Sequence, residues 1–166
     1  MRVTSYAMLA AATIILTGYL ASPCAEAVAQ SSPIKVSIET KNRQHTFDPG
    51  EQITLVITVE NTGNIEAELS RSCDTLDNKV YLTDSSGNKP PMTVLGQKVT
   101  SVFDMSCPRR ALRLRPGASK QINLDMSQMY DLSRPGNYTI SISRFVRNPR
   151  GTVKSSPLTF VIWRKS

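Results

Sequence analysis

A repeated alternation of apolar and polar residues is the feature of this sequence that most restricts its fold. The segment IKVSIET places Ile34, Val36 and Ile38 on one face, and QITLVITVE repeats the pattern. A period of two is typical of a strand with one buried face, because successive side chains of a strand point to opposite sides. Similar short segments recur to the end of the chain, separated by turn residues. The sequence therefore predicts an all-β fold, a β-sandwich of seven to eight strands.

The segment YDLSRPGNYTISI indicates which kind of sandwich to expect. Pro135 and Gly136 form a turn, Tyr138 follows two residues later, and an alternating strand begins there. This order matches the tyrosine corner of Greek-key sandwiches, in which the ring is buried and the hydroxyl bonds a nearby backbone group. The prediction is an immunoglobulin-like Greek-key β-sandwich in which the loop DLSRPG approaches the Tyr138 hydroxyl.

Residues 1–29 have the pattern of a signal peptide. Arg2 precedes an apolar run, Met8 to Ala21, and Ala27-Val28-Ala29 offers small residues for cleavage. The run is shorter than the roughly 20 residues that span a bilayer. We expect an exported protein, periplasmic or extracellular, whose mature chain 30–166 is a single immunoglobulin-like domain without a transmembrane helix.

Two cysteines remain once the signal peptide is removed. Cys24 leaves with that segment, and Cys73 and Cys107 stay in the mature chain. In an oxidising compartment they are expected to form one disulfide, which the chain-entropy model values at about 3 to 4 kcal/mol. The alternative is two unrelated free thiols.

Three segments that contain turns follow one another in a particular order. A strand ending in ENTGN precedes KVYLTDSSGN, and LRPGASKQINLDMSQMYDLSRPGNYTISI comes later. The LxPG turn followed by YDLSxPGxY resembles the accessory domain of deuterolysin-type metalloendopeptidases and, more loosely, BsuPI-type proteinase inhibitors. The resemblance spans about residues 34–161 and rests on turn and corner residues. It implies a free-standing accessory domain, since no HExxH motif is present.

Few residues suggest catalysis or metal binding. The single histidine, His45, lies near Asp48 and Glu51 and is interpreted as an exposed turn residue. Other oxygen ligands suit turn capping better than calcium binding, namely Asp74 with Asp77 and Asp84 with Asn88. No GxSxG elbow, phosphate loop or dinucleotide fingerprint occurs. We therefore expect no enzyme, no cofactor and no metal.

The chain is basic, with 20 Lys and Arg against 13 Asp and Glu. Four basic residues concentrate in the loop that joins the last two predicted strands: Arg144, Arg147, Arg150 and Lys154. A second group precedes them: Arg109, Arg110, Arg113 and Arg115. Such charge either keeps a surface solvated or attracts an anionic glycan or lipid. Nucleic acid is not expected, because Phe145 is the one aromatic residue among those arginines.

The sequence predicts an exported, non-catalytic binding or accessory module whose partner is unknown. One alternative is a proteinase inhibitor that presents the loop 89–106 in extended form to a protease. The other is a structural envelope protein that pairs through an edge strand, either IKVSIE or LTFVIW. Residues 89–107 show neither a clear alternation nor a helical pattern, and we expect a long crossing loop there, with at most one short strand.

Overall fold

Most of the described chain is β-strand. The structure is a computed structural model that describes residues 33–71, 77–100 and 110–163. All of them belong to one unit, Ser31–Ser166. The predicted signal peptide, Asp74 and the predicted disulfide between Cys73 and Cys107 lie outside the described residues.

The described residues form ten strands and three short helices. The strands are β1 Ile34–Thr40, β2 Thr46–Phe47, β3 Thr54–Asn61, β4 Ala67–Arg71, β5 Asn78–Asp84, β6 Arg110–Leu114, β7 Ser119–Asp125, β8 Gly136–Asn148, β9 Gly151–Lys154 and β10 Leu158–Ile162. The helices are a 3-10 turn at Lys41–Arg43, α1 at Val94–Thr100 and α2 at Met126–Met129. In the described residues no helix is long and apolar enough to cross a membrane.

The strands form two sheets. The smaller sheet has the order β1-β3-β7, and both pairings are antiparallel. The larger sheet has the order β2-β10-β8-β4-β6, and both β5 and β9 also pair with β8. The short β2 runs parallel to β10, whereas the other pairings of this sheet are antiparallel. The 13-residue strand β8 is therefore the element around which the larger sheet is organised.

The core contains the apolar residues of the predicted alternation. Leu55, Ile57 and Val59 of β3 are fully buried, as are Ile140 and Ile142 of β8. Burying an aliphatic side chain of this size contributes about 1.5–3 kcal/mol. The predicted all-β sandwich is thus confirmed, with ten strands where seven to eight were expected.

Tyr138 has the geometry of a tyrosine corner. Its ring is buried and stacks on Phe160, with ring centroids 5.6 Å apart. Its hydroxyl donates a 2.8 Å hydrogen bond to the backbone carbonyl of Arg134, which lies in the loop DLSRPG. Gly136 supplies the positive φ of 154° between them. The hydroxyl is therefore paired, as burial of a tyrosine requires.

Two of the turn motifs named above meet at Asn61. The Asn61 side chain is buried and donates hydrogen bonds to the carbonyls of Ile65 and Leu114. Its backbone N–H donates to the carbonyl of Ala118, and its carbonyl accepts from Gly117. The ENTGN turn and the LRPG turn are thus tied together through one residue.

The segment after β5 differs from the prediction of an irregular crossing loop. Residues 94–100 form helix α1, and Met92 makes an isolated bridge with Tyr130. Gly96 packs so closely on α2 that a Cβ atom there would lie 2.1 Å from the Met129 carbonyl oxygen. The expected crossing loop is therefore wrong for residues 94–100, where a helix packs on α2 through Gly96. Residues 89–93 are irregular apart from the bridge at Met92.

Candidate functional site

The outer face of the larger sheet carries the residues that we consider a candidate binding site. Along β8, Tyr138, Ile140 and Ile142 point inward and are buried. The residues at odd-numbered positions of β8, such as Ser141 and Phe145, therefore point outward, since strand side chains alternate. The side chains level with them on β5 and β9 share that outer face.

Tyr81 and two lysines form the centre of this face. Lys79 of β5 and Lys154 of β9 are both level with Ser143 of β8, so the three residues form one row across the sheet. Tyr81 is level with Ser141 in the next row. The ammonium groups of Lys79 and Lys154 lie 5.1 Å and 5.7 Å from the centroid of the Tyr81 ring. Ser143 is buried in the same row, consistent with the long lysine side chains on either side.

The charges of this cluster are available to a ligand. Lys79 and Lys154 are exposed, and neither forms a salt bridge with a described carboxylate. A cation on an exposed aromatic ring gains only about 0.5–1 kcal/mol, so the ring does not neutralise the two charges. Tyr81 itself is 41% exposed. Two like charges beside a partly open ring favour an anion that has an apolar surface to lay against it.

Further rows extend the pattern toward the end of β8. Phe145 is level with Thr152 of β9 and is 44% exposed. Arg147 is exposed and its guanidinium lies 3.5 Å from the Glu68 carboxylate. We call the set Lys79, Tyr81, Phe145, Arg147 and Lys154 the Tyr81 face.

Acidic residues beside Arg147 moderate the positive charge at that end. Arg113 of β6 lies 3.7 Å from the carboxylate of Glu68 and 3.9 Å from that of Glu66. Pairs this exposed contribute at most about 1 kcal/mol each and exchange readily with other partners. The most positive part of the Tyr81 face is therefore the lysine row.

The predicted basic cluster is divided by the structure. Arg147 and Lys154 lie on the Tyr81 face, and Arg150 is exposed at the turn between β8 and β9. Arg144 is wrongly grouped with them, because it faces the interior of the sandwich and is 1% exposed.

The Arg144 guanidinium is instead bound inside the protein. Its Nη1 donates a 2.9 Å hydrogen bond to Asn78, and its Nη2 lies 3.7 Å from the Asp77 carboxylate. A buried charge requires such partners because leaving water is costly. Arg144 therefore belongs to the fold and cannot offer its charge to a ligand. Asp77 therefore pairs with a buried arginine, where turn capping was expected.

Lys79 and Tyr81 were missed by sequence reasoning. They lie in KVYLTD, more than sixty residues before the basic hairpin. The available signal was the alternation itself, which puts an aromatic side chain on the polar face of β5. The pairing of β5 and β9 with the same strand is what brings them to Lys154.

The other predicted ligand residues take part in turns. Asp84 accepts hydrogen bonds from the backbone N–H groups of Ser86 and Asn88, which is turn capping. Glu51 accepts from the Asp48 backbone, and His45 is exposed. Within the described ranges, no group of three or more His, Cys, Asp or Glu could hold a metal ion.

A cleft of about 260 Å³ lies between α1 and β7. Its walls include Leu95 and Val99 of α1 and Leu124 and Met129 beneath them. The Asp125 carboxylate in its wall already accepts hydrogen bonds from Ser127 and Gln128 as the N-cap of α2. The cleft thus offers mainly apolar contact and no ionised group that is not already bonded.

The shifts in the pKa values of Tyr130, Asp131 and Tyr138 have structural causes. Burial raises the pKa of the Tyr130 hydroxyl. Burial, with smaller contributions from the charges of Asp84 and Asp131, raises the pKa of Tyr138. Hydrogen bonds from Ser133 lower the pKa of Asp131. Each of these groups belongs to a core contact or a turn, and none lies on the Tyr81 face.

Comparison with known proteins gives a likeness of fold only. The sequence matches no protein-family model and no curated protein. The CARDB domain of a Pyrococcus furiosus protein, solved in complex with di-metal ions, is 12% identical with a TM-score of 0.44, over 78% of this chain and 87% of that one.

Two enzymes contain a similar region. A β-glucosidase from Erythrobacter marinus is 11% identical with a TM-score of 0.42, over 78% of this chain and 15% of that one. An alkylpurine DNA glycosylase from Pseudomonas fluorescens, bound to DNA with an abasic site analog, is 15% identical with a TM-score of 0.42, over 78% of this chain and 30% of that one. This chain thus spans a small part of either enzyme. None of the three is a deuterolysin-type or BsuPI protein, and that resemblance stays an expectation from sequence.

Proposed function

We propose that this protein is an exported, non-catalytic binding module that holds an anionic partner on the Tyr81 face. The observation that supports this most directly is the pair of ammonium groups 5.1 Å and 5.7 Å from one partly exposed ring. Export is proposed from the N-terminal segment 1–29. In this proposal the sandwich is a rigid scaffold and the face provides recognition.

The distribution of perturbed groups supports binding over catalysis. General acids, bases and nucleophiles usually carry shifted pKa values within a cleft. Here the raised pKa of Tyr138 accompanies its corner hydrogen bond, and the lowered pKa of Asp131 accompanies a turn. Both residues therefore have an explanation in the fold.

The inhibitor alternative and edge pairing through LTFVIW receive less support from the described residues than edge pairing through IKVSIE. An inhibitor would need the segment 89–106 as an accessible extended loop, but Pro90 is buried and 94–100 is helical. A structural protein that pairs through LTFVIW would need a free strand edge. β10 pairs with β8 on one side, and β2 pairs with its last two residues, Val161 and Ile162, on the other. IKVSIE in β1 does lie at the edge of the smaller sheet.

The test is binding to anionic surfaces as a function of salt. The protein is expressed with its own N-terminal segment, recovered from the exported fraction, and its N-terminus is determined. Binding to an immobilised acidic polysaccharide and to vesicles of anionic phospholipid is measured by sedimentation. Raising salt from about 0.1 M to about 1 M shortens the screening length from about 10 Å to about 3 Å, so binding should fall steeply.

A matched pair of double variants locates the contact. K79Q/K154Q removes two charges from the Tyr81 face, and K35Q/K120Q removes two exposed charges from the smaller sheet. We expect the first to weaken binding about tenfold and the second to change it less than twofold, since each exposed contact contributes up to about 1 kcal/mol. Equal effects would show that only net charge matters and would refute the proposed site. Recovery of the protein with residues 1–29 intact and in the cytoplasm would refute export.

A further inference from the structure

The order of side chains along the Tyr81 face suggests the shape of the ligand. Four successive rows along β8 carry an aromatic ring, a pair of cations, a second aromatic ring and a further cation. They are Tyr81 beside Ser141, then Lys79 and Lys154 beside Ser143, then Phe145, then Arg147. Ring and charge therefore alternate in one direction.

The spacing of the rows follows from strand geometry. Outward-facing positions of a strand recur every two residues, about 6.6 Å apart at a rise of about 3.3 Å per residue. Tyr81 is level with Ser141, so its row lies about 13 Å from that of Phe145. A single headgroup or a free phosphate is too small to reach both rings. An extended polymer along β8 reaches both.

The polar groups beside the rings are hydroxyls. Thr139 and Thr159 lie on the same outer face, with their hydroxyl oxygens 3.4 Å apart, and Ser141 lies beside Tyr81. Thr152 lies beside Phe145. Hydroxyls both donate and accept hydrogen bonds, which suits the hydroxyls of a sugar. Aromatic rings suit the apolar face of a pyranose, because they offer a large flat apolar surface.

We infer that the Tyr81 face binds a linear acidic polysaccharide, a polymer containing uronic acid, laid along β8 with sugar rings on Tyr81 and Phe145 and carboxylates at the lysine row. This inference rests on the proposed function and adds the ligand class and its direction. The polysaccharide is favoured over single-stranded nucleic acid because hydroxyl groups, which suit the hydroxyls of a sugar, lie beside both rings.

The experiment measures the affinity of the purified protein for oligogalacturonates of increasing length by calorimetry. We expect affinity to rise about tenfold from the disaccharide to the hexasaccharide, since only the longer chain reaches both rings. Hexasaccharide with its carboxyl groups reduced to alcohols should bind at least about tenfold more weakly.

Two single variants test the direction of the chain. Tyr81→Ala should weaken hexasaccharide binding about fivefold, and Phe145→Ala should weaken it by a similar factor while leaving disaccharide affinity unchanged. Val94→Ala truncates an apolar side chain on α1 that is more exposed than either ring, and it should have no effect. Tyr81, Phe145 and Val94 are 41%, 44% and 72% exposed, so the three variants should fold. Circular dichroism verifies this.

The possible outcomes separate the inference from the proposed function. Salt-sensitive binding to anionic vesicles or to a single-stranded oligonucleotide, without binding to the hexasaccharide, would overturn the inference and leave the anionic binding module standing. Affinity for oligogalacturonates that does not depend on length would also overturn it. Absence of binding to every anionic probe would overturn both.

Discussion

Tyr138 is a residue whose structural role follows from its local sequence. Its position after Pro135 and Gly136 is a local pattern, so its place was predictable from sequence. The pattern works because a turn, a buried ring and a backbone acceptor occur within five residues of one another. Nothing distant in the chain had to be known.

Tyr138→Phe tests the value of that corner. The variant keeps the ring but leaves the Arg134 carbonyl without the hydroxyl that donates to it. We expect the free energy of unfolding to fall by about 1–2 kcal/mol, measured by urea denaturation. Tyr81→Phe, which changes an exposed hydroxyl, should stay within about 0.5 kcal/mol of the parent. Equal losses in the two variants would contradict a special role for the corner.

The buried position of Arg144 could not be predicted from the residues around it. The alternation of β8 continues past Ile142, and Arg144 occupies an inward position between Ile142 and Val146. An arginine is tolerated there because Asn78 of β5 and Asp77, the residue before β5, contact its guanidinium group. Asn78 precedes Arg144 by 66 residues, so the sequence around Arg144 does not indicate these partners.

At the scale of elements, strands were predictable and helix α1 was not. Strands such as β3 alternate over eight residues, which is a long enough signal. Helix α1 has seven residues with a glycine inside, too few for an apolar stripe to be recognised. Its place depends on contact with α2, which directly follows β7 in the chain and lies about 30 residues beyond α1.

Gly96→Ala tests whether that contact determines α1. In an exposed helix this change would stabilise by about 1 kcal/mol. Here the added Cβ would meet the Met129 carbonyl at 2.1 Å, so we expect a loss of about 1–3 kcal/mol instead. Gly151→Ala adds a Cβ in open space and serves as the control in the same denaturation assay. A stabilised Gly96→Ala would mean that α1 does not sit on α2.

At the scale of the whole molecule, the sandwich could be predicted but the Tyr81 face could not. The alternation gives the number and type of most strands, while turns alone do not say which strands become neighbours. The face requires β5 and β9 to pair with opposite edges of β8. Only that arrangement places Lys79 and Lys154 beside one ring.

The free energy of unfolding of the domain should fall at alkaline pH. The pKa values of Tyr130 and Tyr138 are raised in the folded state, mainly because burial disfavours the charged phenolate. Their contribution to stability is complete below the unfolded value of 10.0 and is lost as pH rises through the raised folded values. We expect the free energy of unfolding to decrease from about pH 10 upward.

Urea denaturation from about pH 8 to about pH 11 measures this loss. Tyr138→Phe lacks one of the two tyrosines whose pKa is raised, so its free energy of unfolding should fall less over the same interval. A parallel decline in the parent and the variant would mean that groups other than Tyr138 cause the effect.

The length of β8 limits how this protein can change during evolution. Inserting one residue into the strand would exchange its two faces beyond that point, turning Ile140 and Ile142 toward water and Phe145 inward. Substitutions at the outward positions leave the interior as it is, so the outer surface can change without loss of the fold. Changes in length, in contrast, should accumulate at exposed turns such as 85–88 and 149–150.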